Sequence, residues 1–152
     1  LSRSPLTAVE LHASADGIPF LTAMIKNGNV PIRVVAVHPM PPMAPHWHGE
    51  RDTLLRMLAQ QAGRTPTVVA GDLNATPWSS AMIGATHEGL FRATGHAPTW
   101  PVWGRGVVGI PIDHVLASMH WRQAGSSRGP DIGSDHSPVR ATLVWLDGRD
   151  IE

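Results

Sequence analysis

Three short segments of this sequence each place acidic, amide or imidazole side chains at the end of an apolar strand or beside one. They are residues 68–74 (VVAGDLN), 112–115 (IDHV) and 133–139 (GSDHSPV). Loops at strand ends are where sheet proteins commonly hold their functional groups. The three segments therefore predict a protein built on a sheet, with its candidate site at the strand ends.

Apolar and alternating runs predict the strands of that sheet. They lie at residues 6–12, 20–26, 32–37, 67–70, 112–117 and 139–145, with a short segment at 121–124 that could pair with strand 112–117. Asp16-Gly17 is a strong turn signal, so the first two strands are predicted to form a hairpin. Strand 32–37 is nearly continuously apolar, as expected for a strand that is covered on both faces.

A helix is predicted over about residues 50–62, because its leucines recur at helical spacing. Glu50 and Asp52 would then lie in its first turn, where carboxylates interact favourably with the helix dipole. Before it, four prolines in residues 39–45 exclude regular helix or sheet pairing. This stretch after His38 is therefore predicted to be an ordered loop or a lid.

A second, shorter helix is predicted to begin at Thr76-Pro77, since threonine is a good helix cap and proline suits the first helical position. It would run to about Ile83, and residues 84–109 are predicted to be loops with at most one short helix. Strands outnumber helices and their order is mixed, which favours an α+β fold in layers. The length of 152 residues predicts that residues 1–152 belong to one domain.

Composition excludes several kinds of function. The formal net charge is zero, which argues against a tight binder of duplex DNA, because contacts from Lys and Arg to phosphates dominate that affinity. There is no cysteine, so disulfides, thiolate metal sites and a cysteine nucleophile are excluded. No apolar run reaches about 18 residues, so no membrane-spanning segment is predicted within the chain.

Each polar segment has a functional and a structural interpretation. Asp72 and Asn74 could bind a hard cation or hold a water and a phosphoryl oxygen, or they could simply form a turn through their own backbone. Asp113 lies in an apolar strand, where a carboxylate needs a partner such as a protonated histidine. Asp135 could bind a metal while His136 faces a substrate, or the histidine could be purely structural.

Taken together and in order, these segments resemble the motif set of the DNase I-like endonuclease/exonuclease/phosphatase superfamily. Residues 34–38 (VVAVH) add a fourth match, a strand that ends in histidine, and the resemblance extends from Ile32 to Val144. It implies a layered α/β sandwich and a metal-dependent phosphoesterase that hydrolyses phosphodiesters or phosphomonoesters with an activated water. It also implies Mg²⁺ or Mn²⁺ as the cofactor, and a phosphate ester, either a lipid phosphate or nucleic acid, as the substrate.

The resemblance assigns a role to each matching position. Asp72 corresponds to the aspartate that orients or deprotonates the attacking water, and Asn74 to the amide that contacts the scissile phosphate. Asp113 corresponds to the carboxylate that pairs with His136, which as an imidazolium stabilises the transition state. The remaining two assignments are His38 as a second catalytic histidine and Asp135 as a ligand of the metal ion.

Two further motifs of this superfamily have no match in the sequence: an Asn at the end of the first strand, and a Glu that is a principal metal ligand. Residues 1–152 are therefore expected to be the C-terminal portion of a catalytic domain whose N-terminal strands are missing. The chain alone would then be weak or inactive, and uncovered sheet edges could cause self-association. The Pro- and Trp-rich segments resemble a bacterial branch of the superfamily, in which upstream membrane helices anchor an outward-facing domain.

Other interpretations compete with this one. The chain could be a non-catalytic binding or regulatory module that keeps a degenerate phosphoesterase fold. His46-Trp47-His48 resembles the start of the metal motif of metallo-β-lactamase-like hydrolases, but the Asp and the last His of that motif are absent. Both histidines are therefore expected to lie in the loop beside the site, where they could contact the substrate or, as the favoured interpretation, simply be solvated. Tryptophans could stack on a substrate, but packing is the favoured interpretation for the four considered: Trp47, Trp78, Trp100 and Trp103.

Overall fold

The computed structural model describes residues 2–146, which form two β-sheets and two α-helices. The elements, in chain order, are β1 (Thr7–Ala13), β2 (Pro19–Asn27), β3 (Val30–Val37), α1 (Pro45–Ala62), β4 (Thr67–Asp72), α2 (Ser80–His87), β5 (Leu90–Arg92), β6 (Asp113–Ser118), β7 (Trp121–Arg128) and β8 (Val139–Trp145). A single turn of 3-10 helix, Val102–Gly104, lies between β5 and β6. This mixed order of strands and helices confirms the predicted α+β class.

Six strands form the larger sheet, in the order β1-β2-β3-β4-β6-β5. β3 and β4 are parallel, and all other neighbours are antiparallel. β1 and β2 form the predicted hairpin, and Gly17 in its turn has a φ of 83°, which glycine adopts without steric cost. Because β3 and β4 run together and β6 runs the other way, the last residues of β3 and β4 lie beside the first residue of β6.

Both helices pack on one face of this sheet and bury its apolar side chains. Val35, Val69 and Leu116 of the central strands have no exposed surface. They share a cluster with Leu54 and Leu58 of α1, each 1% exposed. Burying a side chain of this size stabilises the fold by roughly 1.5–3 kcal/mol. This cluster fixes the central strands and, with them, the strand ends that carry the polar residues.

The small sheet of β7 and β8 packs on the opposite face. Trp121 and Trp145 meet edge to face with ring centroids 5.1 Å apart, in a cluster that includes Ile32 of β3. β7 pairs with β8 and not with β6, so the predicted pairing of residues 121–124 with strand 112–117 is wrong. The reason is that β6 lies between β4 and β5 and has no open edge.

Part of that second face stays uncovered near the strand ends. Leu11 and Leu21 are 73% and 46% exposed there, and Ala36 of β3 is also exposed. Apolar surface of this kind and the outer edges of β1 and β5 are features that favour association between chains, but self-association remains a prediction. Within residues 2–146, no helix is long and apolar enough to cross a membrane.

α1 begins earlier than predicted. Pro45 is its first residue and Ala44 precedes it in an extended conformation, so the last proline of the predicted loop belongs to the helix. Proline is tolerated at this position because the first N–H groups of a helix have no partner within it. The prediction that Glu50 and Asp52 lie in the first turn is therefore wrong, and the first turn holds no acidic residue.

The second helix and the segment after it also differ from the prediction. α2 begins after Ser79, whose side chain accepts a hydrogen bond from the Met82 N–H (3.3 Å), and it extends beyond the predicted end to His87. Thr76 is not the cap; its carbonyl oxygen accepts hydrogen bonds from Ser79. Residues 84–109 contain the short strand β5, which pairs with β6, in addition to loops and one helical turn.

Candidate active site

Four side chains from separate parts of the chain meet at the strand ends. His38 follows β3, and Asp72 ends β4. Asp113 begins β6 opposite Asp72, and His136 lies in the loop before β8. His136 Nδ1 is 2.8 Å from Asp113 Oδ2, and His136 Nε2 is 3.9 Å from Asp72 Oδ2. His38 Nε2 is 3.4 Å from the same Asp72 oxygen. Carboxylates and imidazoles thus alternate in a carboxylate–imidazole row: Asp113, His136, Asp72, His38.

The row changes the proton affinity of its members. Burial alone lowers the pKa of His136, but the hydrogen bond and charge of Asp113, helped by Asp72 and Asp135, outweigh burial and raise that pKa. Burial raises the pKa of Asp72; the Asn74 N–H opposes this rise, and the charge of Asp113 adds to it. The shifts favour a protonated His136 beside a carboxylate that is a stronger base than a free aspartate.

Asn74 fixes the geometry around Asp72. Its backbone N–H donates to Asp72 Oδ1 (2.9 Å), so residues 72–74 form an Asx turn at the end of β4. Its φ of 46° is a left-handed conformation that Asn adopts more readily than most residues. Its side-chain Nδ2 donates to the Pro39 carbonyl oxygen (2.9 Å) and ties the segment after His38 to this turn. One Asp72 oxygen is held by the backbone, while Oδ2 faces the two histidines.

Gly71 allows β4 to reach the site. Its φ is 154°, and a Cβ atom there would overlap the Val37 carbonyl oxygen of the neighbouring strand β3. A larger residue would push the two strands apart at the point where Asp72 and His38 approach each other. The glycine of this motif therefore has a steric role, which sequence analysis did not assign to it.

Arg51, which sequence analysis missed, supports the site from α1. The side chain is 2% exposed, its Nη1 donates to the Asn74 carbonyl oxygen (2.7 Å) and its Nη2 donates to Asp52 Oδ1 (2.9 Å). A buried guanidinium needs such partners, because an unpaired buried charge is strongly unfavourable. One signal could have revealed it: Arg51 lies at helical spacing from Leu54 and Leu58, on the apolar face of the helix.

Thr99, also missed, connects Asp113 to the loop of His136. Its hydroxyl accepts the N–H groups of Ile112 (3.1 Å) and Asp113 (3.2 Å), and its carbonyl oxygen accepts the Ser137 N–H (2.8 Å). It is 2% exposed. The residue therefore fixes the separation of the two segments that carry the Asp113–His136 pair. No motif marks it, because it lies in a stretch without periodicity.

His114 follows Asp113 in the chain but points to the helix-covered face of β6, since side chains alternate along a strand. It is 1% exposed, its Nε2 lies 2.8 Å from the Ala75 carbonyl oxygen, and its Nδ1 lies 3.3 Å from Thr94 Oγ1. Burial lowers its pKa, so we assign the neutral ring with Nε2 donating to Ala75 and Nδ1 accepting from Thr94. It holds the loop that follows Asn74.

Asp135 is the candidate site residue that lies outside the row. It is exposed, its carbonyl oxygen accepts the Val102 N–H (2.7 Å), and its charge acts on His136. Among residues 2–146, no group of three or more His, Asp, Glu or Cys side chains is arranged to hold a metal ion. These residues alone therefore do not fit the predicted Mg²⁺ or Mn²⁺ site, and the role of Asp135 as a ligand stays a prediction.

The row opens into a cleft of about 750 Å³. The polar side of the cleft includes His38, Asp72, Asn74 and His136. The apolar part of the lining, which we call the apolar wall, consists of Pro41, Pro42, Met43, Trp100, Ile110 and Ile112. His48 in the first turn of α1 also lines the cleft, as expected for a histidine beside the site, whereas His46 is exposed and does not line it.

The favoured interpretation of the tryptophans is packing in the core or at an interface; core packing is wrong for three of the four considered, and interface packing stays a prediction. Trp78 and Trp103 are 64% and 74% exposed. Trp100, 40% exposed, lines the cleft with its ring centroid 6.4 Å from that of His136. Trp47 is half-buried. The sequence could not distinguish these cases, because the burial of a side chain in an irregular segment depends on what that segment folds against.

A layered α+β fold with carboxylates and imidazoles at its strand ends defines the class of DNase I-like proteins. Residues 1–136 match the model of the Endonuclease/Exonuclease/phosphatase family, and the chain belongs to that family. This confirms the resemblance found in the sequence, while the membrane-anchored bacterial branch stays a prediction. The family includes metal-dependent phosphoesterases. A search of curated proteins found no match.

Solved structures share the fold at low sequence identity. An endonuclease/exonuclease/phosphatase from Beutenbergia cavernae has a TM-score of 0.77 at 18% identity, covering 95% of this chain and 46% of that one. D. rerio TDP2 complexed with single strand DNA product has a TM-score of 0.67 at 15% identity, over 93% and 69% of the two chains. Sphingomyelinase C from Streptomyces griseocarneus has a TM-score of 0.62 at 18% identity, and the match covers 93% of this chain and 65% of that one. The chain thus spans about half the length of the Beutenbergia protein.

Proposed function

We propose that this chain carries the water-activating part of a phosphoesterase site, which hydrolyses a phosphomonoester or a phosphodiester. The observation that supports this best is the carboxylate–imidazole row, in which Asp72 approaches two histidines and Asp113 holds one of them. The row places a base and a fixed cation side by side in an open cleft. Hydrolysis of a phosphate ester requires groups of these two kinds.

In the proposed reaction, Asp72 Oδ2 accepts a proton from a water molecule as the water oxygen attacks phosphorus. The bond from phosphorus to the ester oxygen breaks, and the alcohol leaves with a proton taken from solvent. The raised pKa of Asp72, caused first by its burial, makes it a stronger base than an exposed aspartate. Its other oxygen stays bound to the Asn74 N–H, so the base keeps one orientation.

His136 stabilises the negative charge that develops on the phosphoryl oxygens. The 2.8 Å hydrogen bond to Asp113 orients the ring and favours its protonated form, with Nε2 directed toward Asp72 and the cleft. His38 reaches Asp72 from the other side and is exposed, so it is placed to contact a second phosphoryl oxygen. Asn74 donates one Nδ2 hydrogen to Pro39, and the second can contact the phosphate.

The predicted metal ion needs ligands in addition to those that residues 2–146 bring together. Each step described above uses a side chain of this chain, whereas a full set of ligands for the metal ion is not assigned. We therefore expect little metal-dependent turnover from residues 1–152 alone. The complete gene product is the appropriate protein for activity measurements.

Hydrolysis of bis-p-nitrophenyl phosphate by the complete gene product, with Mg²⁺ or Mn²⁺, tests the proposal. Asp72→Asn keeps the size of the side chain but removes the base, and it should lower kcat by about 10²–10⁴-fold. Asp16→Asn, in the exposed turn between β1 and β2, is the matched control and should keep full activity. A wild-type rate in Asp72→Asn would refute the assignment. Absence of hydrolysis of any phosphate ester would favour a non-catalytic binding module.

A further inference from the structure

The apolar wall lines the same cleft as the side chains of the proposed reaction site, so it bears on which substrates fit there. We propose that the site binds a phosphate ester with a single phosphate group and a long apolar alcohol, such as an amphiphilic lipid phosphate, and not a polyanionic nucleic acid. This inference rests on the proposed phosphoesterase function, because it names the substrate class of the same site.

The wall begins directly beside the reacting groups. Trp100 is the neighbour of His136, with ring centroids 6.4 Å apart, and Ile112 precedes Asp113 in the chain. An alcohol attached to a phosphorus atom next to His136 would therefore lie along these side chains. The cleft volume of about 750 Å³ is in the range of about 300–1,000 Å³ that is usual for small-molecule sites, which leaves room for a chain of several carbons.

The wall offers apolar surface that the fold itself does not cover. Met43 is 80% exposed, Trp100 is 40% exposed and Ile110 is 37% exposed. Exposed apolar side chains are common singly, but several that line one cleft together with a few polar residues are typical of a ligand-binding surface. The apolar part of a substrate would remove this surface from water, and that burial would favour binding.

Backbone hydrogen bonds hold the wall in place. Trp100 and Ile110 form an isolated antiparallel bridge, with Ile110 N donating to Trp100 O (2.7 Å) and Trp100 N donating to Ile110 O (3.1 Å). On the other part of the wall, Met43 N donates to the Pro41 carbonyl oxygen (2.7 Å). A preformed surface binds with less loss of conformational entropy than a loop that must order on binding.

The charge of the cleft fits one phosphate and not a series of them. Among the residues described as lining it, Arg51 is the single Lys or Arg, and its guanidinium is already bonded to Asp52 and to the Asn74 carbonyl oxygen. The other basic side chains in the lining are imidazoles, and each lies near a carboxylate: His38 and His136 near Asp72, and His48 near Asp52. Nucleic acid binding depends on several Lys and Arg that contact flanking phosphates. This cleft lacks that set within residues 2–146.

Binding of n-alkylphosphonates to the complete gene product tests the inference without requiring turnover. Methyl-, butyl- and octylphosphonate, measured by calorimetry below their micelle concentrations, should bind more tightly as the chain grows, by up to about fourfold for each buried methylene. Trp100→Ala should weaken this dependence strongly. Trp103→Ala is the matched control, because Trp103 is 74% exposed and outside the cleft, and it should keep the dependence.

Three results would overturn the inference: affinity independent of chain length, equal losses in the two tryptophan variants, or tighter binding of a short single-stranded oligonucleotide than of octylphosphonate. Binding that depends on chain length, without hydrolysis of any phosphate ester, would refute the proposed function while leaving the ligand class supported. Sedimentation with phosphatidylcholine vesicles that contain phosphatidic acid, weaker for Trp100→Ala, would identify a membrane lipid as the source. Octylphosphonate binding without vesicle binding would identify a soluble ester.

Discussion

The carboxylate–imidazole row and the buried layer that supports it, formed by Arg51, Thr99 and His114, both contain a histidine, but in different surroundings. His136, 26% exposed, is partly buried, yet the hydrogen bond and charge of Asp113 raise its pKa. His114, 1% exposed, follows that same aspartate in the chain, and burial lowers its pKa. One histidine faces a cleft beside two carboxylates, and the other bonds to a carbonyl and a hydroxyl. The surroundings of the side chain, and not the residue type, separate candidate catalysis from support.

The comparison makes a general prediction about the two regions. Substitutions of the two histidines of the row should reduce activity while leaving the free energy of unfolding nearly unchanged, because His38 is exposed and His136 is partly exposed. Substitutions in the buried layer, which includes Arg51, Thr99 and His114, should reduce stability first. In those variants, activity would fall only to the extent that the substitution displaces Asp72, Asp113 or Asn74.

The largest expected effect is that of His136→Ala on activity. Removing a group that stabilises transition-state charge should lower kcat of the complete gene product by about 10²–10³-fold. The melting temperature, followed by circular dichroism, should stay close to that of the wild type. His87→Ala, at the exposed end of α2, is the matched control and should change neither quantity. If His136→Ala lowered the melting temperature as well as the activity, the row could not be distinguished from the buried layer in this way.

Asp113→Asn should change the pH dependence of the row. Burial alone lowers the pKa of His136, so removing the charge of Asp113 should shift that pKa downward, as measured by NMR of the ring protons. In the wild type, the small contribution of this partly exposed pair to stability should be present in full below about pH 6.5 and be lost as the pH rises through the raised pKa. Activity that needs protonated His136 should decline at lower pH in the variant. An unchanged His136 pKa would show that the pair is not coupled.

Arg51→Met tests the buried layer directly. The variant keeps the length of the side chain but leaves Asp52 and the Asn74 carbonyl oxygen without their partner, which should destabilise the fold by roughly 1.5–3 kcal/mol in urea unfolding. Arg56→Met, on the exposed part of α1, is the matched control. Equal stability of the two variants would mean that the buried guanidinium contributes nothing to the fold.

Thr99→Val should have the smallest effect of the series. It preserves shape but removes the hydroxyl that accepts the N–H groups of Ile112 and Asp113, so a loss of about 1 kcal/mol is expected. Thr53→Val, exposed on α1, controls for the change of residue type. If Thr99→Val also shifts the alkaline limb of the activity profile, the hydroxyl helps to hold Asp113 against His136.

Sequence analysis could predict that the polar groups of the row lie at strand ends, because apolar and alternating runs mark where the strands begin and end. His38, Asp72 and Asp113 each adjoin an apolar strand that the pattern reveals, and the ends of paired strands meet. Asp135 was grouped with them on the basis of the family motif, but it lies on the exposed side of its loop. Its neighbour His136 turns inward, and local sequence does not specify that difference.

The supporting layer and several boundaries could not be predicted, for physical reasons. The hydrogen bonds of Arg51 and Thr99 join segments far apart in the chain, so no local pattern contains them. The partner of β7 depends on which edges other strands have already occupied. The start of α1 at Pro45 could not be predicted, because proline is equally compatible with a loop and with the first position of a helix.

The most direct test of the central claim is hydrolysis of bis-p-nitrophenyl phosphate by the complete gene product in ¹⁸O-labelled water, with mass spectrometry of the products. Attack of water on phosphorus predicts one labelled oxygen in the p-nitrophenyl phosphate that forms. The rate of labelling should fall sharply in Asp72→Asn and stay unchanged in Asp16→Asn. Label in the p-nitrophenol, or equal labelling rates in the two variants, would contradict the assignment of Asp72 as the group that activates water.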